Sequence, residues 1–317
     1  MAATFFMTLQ EMLQILLLLL LGFLLRKWNI IPDGACTALS RLVAFLLIPS
    51  LNLYSNMMEC KLTSLAAYSQ WVLYGGVLAA ISVLCSIALA RYFSPDDSYV
   101  RGMYRYGLAT TNTGVVAMPL MLAFYGTAGL FQFNLFQFVL VMVTYTWGIA
   151  QLLPDKQKTT FLGSLRKCIN PNSIAMISGM ILGLLGVTEW MPPVVLETVG
   201  GLADCYVEIA LIVSGASIAE HPLSQVLSSK KSYLYSLLRL VLLPGLFVAL
   251  LLAVRAPQMV CIMAALAFAS PCGMNVVVYP SAYGKDCGAG VGMVLLSSIG
   301  SVFTVPLIYA ALQMMFT

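Results

Sequence analysis

Charged residues are scarce in this sequence. Of its 317 residues only 9% are Asp, Glu, Lys or Arg, whereas 61% are hydrophobic and the mean hydropathy is +0.93. A soluble domain of this length exposes far more charge, so the composition excludes that class and predicts a polytopic helical membrane protein. The net charge of +4 comes from basic residues in short loops, a pattern of membrane topology and not of nucleic-acid binding.

Residues and motifs that could catalyse a reaction, bind a metal or form disulfides are equally scarce. The single histidine, His221, lies in a predicted loop, and the eight cysteines are scattered without a Cys-x-x-Cys pair. Neither a metal site nor a disulfide framework is therefore predicted. The apolar runs contain no nucleophile–base pair, so no enzyme activity and no cofactor is expected. The N-terminus lacks a basic region and a cleavage site, so its first apolar run is predicted to be retained.

Long apolar runs dominate the chain. A helix needs about 20 mostly apolar residues to cross a bilayer, and ten runs fit this requirement, which predicts an all-α fold in one membrane domain over residues 1–317. In the sixth, Gly179 and Gly183 predict a small-residue packing face. The predicted spans are Phe5–Leu25, Ala35–Tyr54, Leu65–Tyr92, Tyr99–Phe124, Ala128–Leu153, Asn172–Val187, Pro193–Ala219, Tyr233–Val254, Gln258–Ala282 and Gly288–Phe316.

Basic residues indicate how these spans are oriented. One alternating set of loops carries nearly all of them, and the other set carries only Lys61 and Arg255. Because basic loops stay in the cytoplasm, both termini are predicted to be extracytoplasmic. Five spans precede the most basic loop and five follow it. Because five is an odd number, the second half crosses the membrane in the opposite orientation to the first. The chain is thus predicted to form a first inverted repeat (1–153), a cytoplasmic linker (154–170) and a second inverted repeat (171–317).

Two of the spans are interrupted in the same way. Residues 110–126 read TTNTGVVAMPLMLAFYG, and residues 269–284 read ASPCGMNVVVYPSAYG. Each combines glycine and polar residues with a proline, and Pro119 and Pro280 are predicted to break the two helices. Unwound backbone at membrane depth is tolerated only where it faces protein or a water-filled cavity. Matched interruptions in two halves therefore indicate the binding site of a transporter.

These motifs resemble those of a known family. Asn112-Thr113-Gly114 with Met118-Pro119-Leu120 is similar to the fourth helix of the auxin efflux carrier family, and Met274-Asn275 with Tyr279-Pro280 is similar to its ninth. Asn170-Pro171 resembles the start of that family's second half. Plant members often have a long central loop. The short linker here resembles bacterial members, among which malate and malonate permeases are found.

The resemblance implies a fold and a mechanism. Spans 4 and 9 would be broken helices that cross within two inverted five-helix repeats, an arrangement like that of NhaA and the bile-acid symporters. A crossover domain of spans 3–5 and 8–10 would move against a scaffold of spans 1, 2, 6 and 7 in an elevator mechanism. Two copies would join through the scaffold as a homodimer, and the expected location is the bacterial cytoplasmic (inner) membrane.

The predicted substrate site lies at the two interruptions. The neutral amide of Asn112 can bind a carboxylate, assisted by the N-terminal end of the half-helix that follows. Alternatively, Asn112 only caps broken backbone. The candidate substrate-binding residues are Asn112, Thr113, Gly114, Gly273, Met274 and Asn275.

Charged residues inside the predicted spans are few. Asp204 and Glu208 are four residues apart and share a helix face, and Glu208 lies about 22 Å along the seventh span. A carboxylate buried in a membrane is a functional candidate by default, so both are candidates for coupling to H⁺ or Na⁺. The alternatives are a wet cavity wall or a pairing with Arg239. For Arg239 itself the sequence leaves three alternatives. Its side chain attracts anions, extends to the membrane surface or pairs with an acidic residue.

Together these features favour a secondary active transporter or uniporter for small organic anions such as malate, malonate or auxin-like acids. A membrane sensor or receptor that kept the fold but lost transport is the alternative, and a signalling domain, which the sequence lacks, would be expected with it. A pore is disfavoured because no charged ring or repeated filter is present. The basic linker is expected to contact anionic membrane lipid.

Overall fold

Helices make up all of the regular structure within the described residues. The computed structural model describes residues 2–32, 34–61, 65–114, 116–153, 170–219 and 229–316. Apart from Asn170, the predicted linker lies outside these ranges, and so does His221. In chain order the helices are α1 (Ala2–Lys27), α2 (Ala35–Glu59), α3 (Leu65–Phe93), α4 (Ser98–Ala109), α5 (Ala117–Leu152), α6 (Pro171–Leu184), α7 (Pro193–Asp204), α8 (Tyr206–Ala219), α9 (Lys230–Ala253), α10 (Gln258–Ala269), α11 (Asn275–Ala282) and α12 (Gly288–Phe316).

Six helical stretches in the described part of the chain are long and apolar enough to cross a membrane. They are α2, α3, α5, the α7–α8 pair, α9 and α12, while α6 and α10 are apolar but shorter. The predicted all-helical membrane protein is thereby confirmed. The number of ten spans and their inverted repeat stay predictions: α1 is not among the six, α6 is shorter than a full span, and the predicted fourth and ninth spans are each divided between two helices.

The first predicted interruption separates α4 from α5. The described residues between them, 110–114 and 116, lie outside both helices. Pro119 is the third residue of α5, where its missing N–H costs no helical hydrogen bond and its ring blocks an uninterrupted helix. A second discontinuity lies inside α5 at Gly126, whose φ of 63° suits glycine. It coincides with the predicted boundary between the fourth and fifth spans.

The second interruption lies earlier than predicted. Residues 270–274 separate α10 from α11, whereas Pro280 lies inside α11, two residues before that helix ends. The prediction that Pro280 breaks this helix is therefore wrong. Pro271 is responsible, because the residue before a proline is driven into an extended conformation. Ser270 accordingly has a ψ of 148° where α10 ends.

Glycine lets α2 and α6 pack closely. A Cβ atom added to Gly179 would lie 2.7 Å from the carbonyl oxygen of Leu53, and one added to Gly183 would lie 2.8 Å from that of Cys60. Any side chain at either position would therefore separate the helices, which confirms the predicted packing face. The N-terminus of α6 is capped by Asn170, whose Oδ1 accepts from the N–H of Ser173 at 3.0 Å.

The core of the molecule is centred on α10. Every residue from Val260 to Ala269 is buried, and α10 packs against α3, α5, α9 and α12. The rings of Phe247 in α9 and Phe268 in α10 lie 4.5 Å apart. The second break, which directly follows α10, is therefore held inside the molecule.

Candidate functional site

The two helix breaks contact each other. The backbone N–H of Asn112 donates to the carbonyl oxygen of Pro271 at 2.9 Å, which joins the first break to the second. The side-chain amide of Asn275, at the start of α11, donates to the hydroxyl oxygen of Tyr106 in α4 at 3.1 Å. Tyr206 of α8 donates its hydroxyl to the carbonyl oxygen of Gly114. Two segments far apart in sequence thus meet at one point, which we call the crossing.

A cavity of about 250 Å³ lies at the crossing and is lined mainly by polar side chains; we call it the amide cavity. All six residues predicted to bind substrate line it, so the structure brings the predicted site together. Its amide and hydroxyl groups belong to Tyr106, Thr111, Asn112, Thr113, Gln137, Thr144, Tyr145, Asn172 and Asn275.

A second cavity of about 250 Å³ also reaches the crossing. Its lining is largely apolar, but four serines contribute to it, and we call it the serine cavity. The two cavities share Ile48, Asn112, Gly114 and Met274. The serines are Ser40, Ser214, Ser217 and Ser298.

Polar groups at the crossing remain available for a ligand. The side-chain amide of Asn112 makes no hydrogen bond to any described residue, and Oγ1 of Thr111 is buried without a partner among them. The backbone of Asn112, and not its side chain, makes the bridge to Pro271. Within the described residues the side chain of Asn112 therefore does not cap broken backbone, and its donor and acceptor both stay free.

The electrostatic field at the crossing favours an anion on one side of each break. α5 and α11 both begin directly after a break, and a helix N-terminus carries roughly half a positive charge. Among the described residues that line the two cavities, none is charged. A bound anion would consequently meet neutral donors and peptide dipoles.

Arg239 lies behind the first break, a position that the sequence did not reveal. Its exposed fraction is 0%, so it does not extend to the surface, and no described acid pairs with it. Its Nη1 instead donates to the carbonyl oxygen of Leu108 at 3.2 Å and its Nη2 to that of Thr110 at 2.9 Å. Both the surface position and the acid pairing predicted for Arg239 are therefore wrong, because the guanidinium is buried and bonds two backbone carbonyls at the end of α4.

A chain of amides connects the first break to α2 and α6. Thr113 Oγ1 donates to Gln137 Oε1 at 2.6 Å, and Gln137 Nε2 donates to Asn134 Oδ1 at 3.0 Å. Asn134 Nδ2 donates to Asn52 Oδ1 at 2.7 Å, and Asn52 Nδ2 donates to Asn172 Oδ1. Gln137, Asn134 and Asn52 were missing from the predicted site. The available signal was three amides inside apolar spans, since a buried amide needs partners.

Asp204 and Glu208 do not belong to this site. Both are exposed on the surface of the chain, and neither lines the amide cavity or the serine cavity. The expectation that they are buried is wrong, because the shared face of α7 and α8 that carries them points away from the crossing. Their coupling role stays a prediction.

Comparison with known proteins places these features in a wider group. A family model described as membrane transport protein matches residues 7–163 and residues 160–309. The two matches together cover most of the chain. No curated protein matches.

Proposed function

The chain belongs to the membrane transport protein family, which is the auxin efflux carrier family that its motifs resemble, and on that premise we propose that it moves small organic anions by alternating access. As a member of this family it is a multi-pass membrane transporter. The substrates proposed are small carboxylates such as malate, malonate or auxin-like acids.

The crossing is the observation that carries the proposal. The N–H of Asn112 bonds the Pro271 carbonyl, and the six predicted binding residues line the cavity at that point. A transporter needs a site that two sides of the membrane can reach in turn. Asn112, Gly114 and Met274 line both cavities, so one ligand position can serve both.

The chemistry of the lining supports a carboxylate. Its oxygens would accept from the free amide of Asn112, the hydroxyl of Thr111 and N–H groups at the start of α5 and α11. Neutral donors hold an anion without the strong desolvated ion pair that would slow its release. Ser40, in the first two turns of α2, and Ser217, near the end of α8, extend the serine cavity toward the predicted cytoplasmic side.

The amide chain supports the proposed motion. It joins α5, which belongs to the proposed crossover domain, to α2 and α6 of the proposed scaffold. An elevator movement of inverted repeats would have to break or rearrange these bonds. The amide chain therefore marks the surface along which the two domains are proposed to slide.

The exposed carboxylates support a homodimer. A carboxylate facing lipid is costly, and Asp204 and Glu208 both lie on the exposed face of α7 and α8. A second copy packed on this scaffold face would shield them from lipid. Coupling to H⁺ or Na⁺ through Glu208 is proposed at that surface and not in the substrate cavities.

Binding to a carboxylate panel tests the function. Purified protein is heated with malate, malonate or indole-3-acetate, each at two pH values and with or without sodium. A ligand at 100 times its Kd stabilises the folded state by about 2.7 kcal/mol. The shift should be smaller in Asn112→Ala and keep its full size in Thr146→Val, whose hydroxyl bonds its own helix and lines neither cavity.

Uptake into proteoliposomes then separates transport from sensing. The carboxylate that stabilises the protein should accumulate in vesicles that contain the parent protein, and more slowly in those that contain Asn112→Ala. Binding without uptake would favour the sensor. The absence of any shift across the panel would contradict the organic-anion proposal.

A further inference from the structure

Arg239 is a full positive charge buried without a described acid to neutralise it. Besides its bonds to Leu108 and Thr110, its Nε is buried and has no hydrogen-bond partner among the described residues. Its titratable neighbours are Tyr235, Tyr106 and Cys272, none of which is a carboxylate. Burying an ion in this way is expensive unless something compensates it. The compensation must come from the helix end to which Arg239 is bonded.

That helix end would otherwise oppose anion binding. α4 ends at Ala109, and the last carbonyls of a helix carry roughly half a negative charge. They point toward the break that holds Asn112. Arg239 makes the net charge at this helix end positive, because its full positive charge outweighs the half negative charge of the carbonyls. Tyr235 and Ser82 donate to the carbonyls of Gly107 and Ala109 at 2.7 and 3.1 Å, but both are neutral.

The second break has no equivalent charge in the described contacts. At the end of α10 the side-chain donor is Ser270, which is neutral and bonds the carbonyl oxygen of Leu266 at 2.8 Å. The two breaks therefore differ electrostatically although they resemble each other in sequence. The guanidinium is bonded beside the first break, and Cys272 of the second break is also among its neighbours, so its positive potential acts on the crossing as a whole.

We propose that Arg239 is the residue that makes the crossing selective for anions, acting through the end of α4 without contacting the ligand. The inference rests on the proposed function in naming the charge of the ligand, although the potential itself can be measured without any substrate. Arg239 thus sets the electrostatic potential at the crossing, whereas Asn112 binds the ligand.

The expected strength follows from the contacts. Nη2 of Arg239 lies 2.9 Å from the oxygen of Thr110, and two residues of extended chain span about 7 Å. The guanidinium thus lies within about 10 Å of Asn112. At that distance, with an effective dielectric constant of 20, one unit charge changes the local concentration of another roughly tenfold.

An introduced thiol measures this potential directly. The eight cysteines are replaced, Asn112→Cys is added, and reaction rates with an anionic and a cationic methanethiosulfonate reagent are compared. In the Arg239→Gln variant the ratio of anionic to cationic rates should fall at least tenfold. Gln keeps a donor for the carbonyls but lacks the charge. Arg239→Lys and Tyr235→Phe, which keep the charge, should leave the ratio within about threefold.

An unchanged ratio in Arg239→Gln would overturn the inference, and so would an equal fall in Tyr235→Phe, since that would indicate a distorted helix end. If Arg239→Gln fails to fold, the rates are measured in the cysteine-free protein that keeps Arg239. There the ratio of anionic to cationic rates for Asn112→Cys should exceed the ratio that the same two reagents show with a free thiol in solution, by about threefold or more. Equal ratios for Asn112→Cys and the free thiol would contradict the proposal.

The carboxylate panel keeps this inference distinct from the proposed function. If the ratio falls as expected but no carboxylate stabilises the parent protein, the potential is real and the organic-anion function is wrong. If a carboxylate binds and the ratio does not change, anion binding stands and the role of Arg239 is wrong. Where both hold, Arg239→Gln should lose affinity for indole-3-acetate roughly tenfold more than for neutral indole-3-acetamide.

Discussion

Replacing Asn112 tests the crossing most directly, because this residue lines both cavities and its backbone N–H joins the two breaks. Asn112→Ala keeps the N–H that bonds Pro271 and removes only the amide. Leaving a polar group of the ligand unpaired costs about 1–3 kcal/mol. The affinity for the carboxylate should therefore fall roughly 5- to 150-fold.

Asn112→Asp is a sharper test of charge. The side chain keeps its size but places a carboxylate against the ligand. Two negative charges about 4 Å apart repel by about 4 kcal/mol at an effective dielectric constant of 20. Asn112→Asp should therefore bind the anion more weakly than Asn112→Ala does.

Isothermal titration of the parent and both variants measures these losses, with Thr146→Val as the matched control. The melting temperature without ligand is recorded for each, so that a loss of affinity is not confused with a loss of folding. If Asn112→Asp binds the anion as well as the parent protein does, the binding site lies elsewhere.

The amide chain, the glycine face, the exposed carboxylates and the topology provide further tests. Gln137→Leu leaves two buried partners unpaired and should lower stability by about 1–3 kcal/mol in thermal unfolding; an unchanged melting temperature would contradict this. Gly179→Leu, with only 2.7 Å between its Cβ and the Leu53 carbonyl, should abolish the monodisperse peak in size-exclusion chromatography, unless α2 and α6 can separate. Glu208→Gln should flatten the pH dependence of uptake and spare binding; an unaltered profile would exclude a coupling role. Impermeant thiol reagents applied to intact cells should not label single cysteines in the loop 154–170, and labelling would refute the topology.

The first break could be predicted because its signals lie together in the sequence. Asn112, Gly114 and Pro119 occupy one short stretch, and glycine and proline act on the local backbone. The second break was misplaced because Pro271 and Pro280 compete for it. A proline near the end of a helix is tolerated, and the sequence does not tell where that end lies.

The buried polar partners could not be predicted in the same way. The guanidinium of Arg239 bonds backbone carbonyls of α4, and every residue has such a carbonyl, so no residue type announces the pairing. The exposure of Glu208 depends equally on tertiary packing. Its spacing from Asp204 fixes their shared face but not the direction in which that face points.

The amide chain from Thr113 to Asn172 has a direction. Its three inner members, Gln137, Asn134 and Asn52, each donate toward α6 and accept from the side of the first break, while Thr113 donates at one end and Asn172 accepts at the other. A ligand that accepts the hydrogen bond of the Thr113 hydroxyl would leave Gln137 Oε1 without a donor. Each amide in turn would then have to rotate to restore the pairing. Half-rotated arrangements leave buried amides unpaired and are unfavourable. The chain would therefore behave as a two-position switch, passing the state of the crossing to the neighbouring helices as a single step.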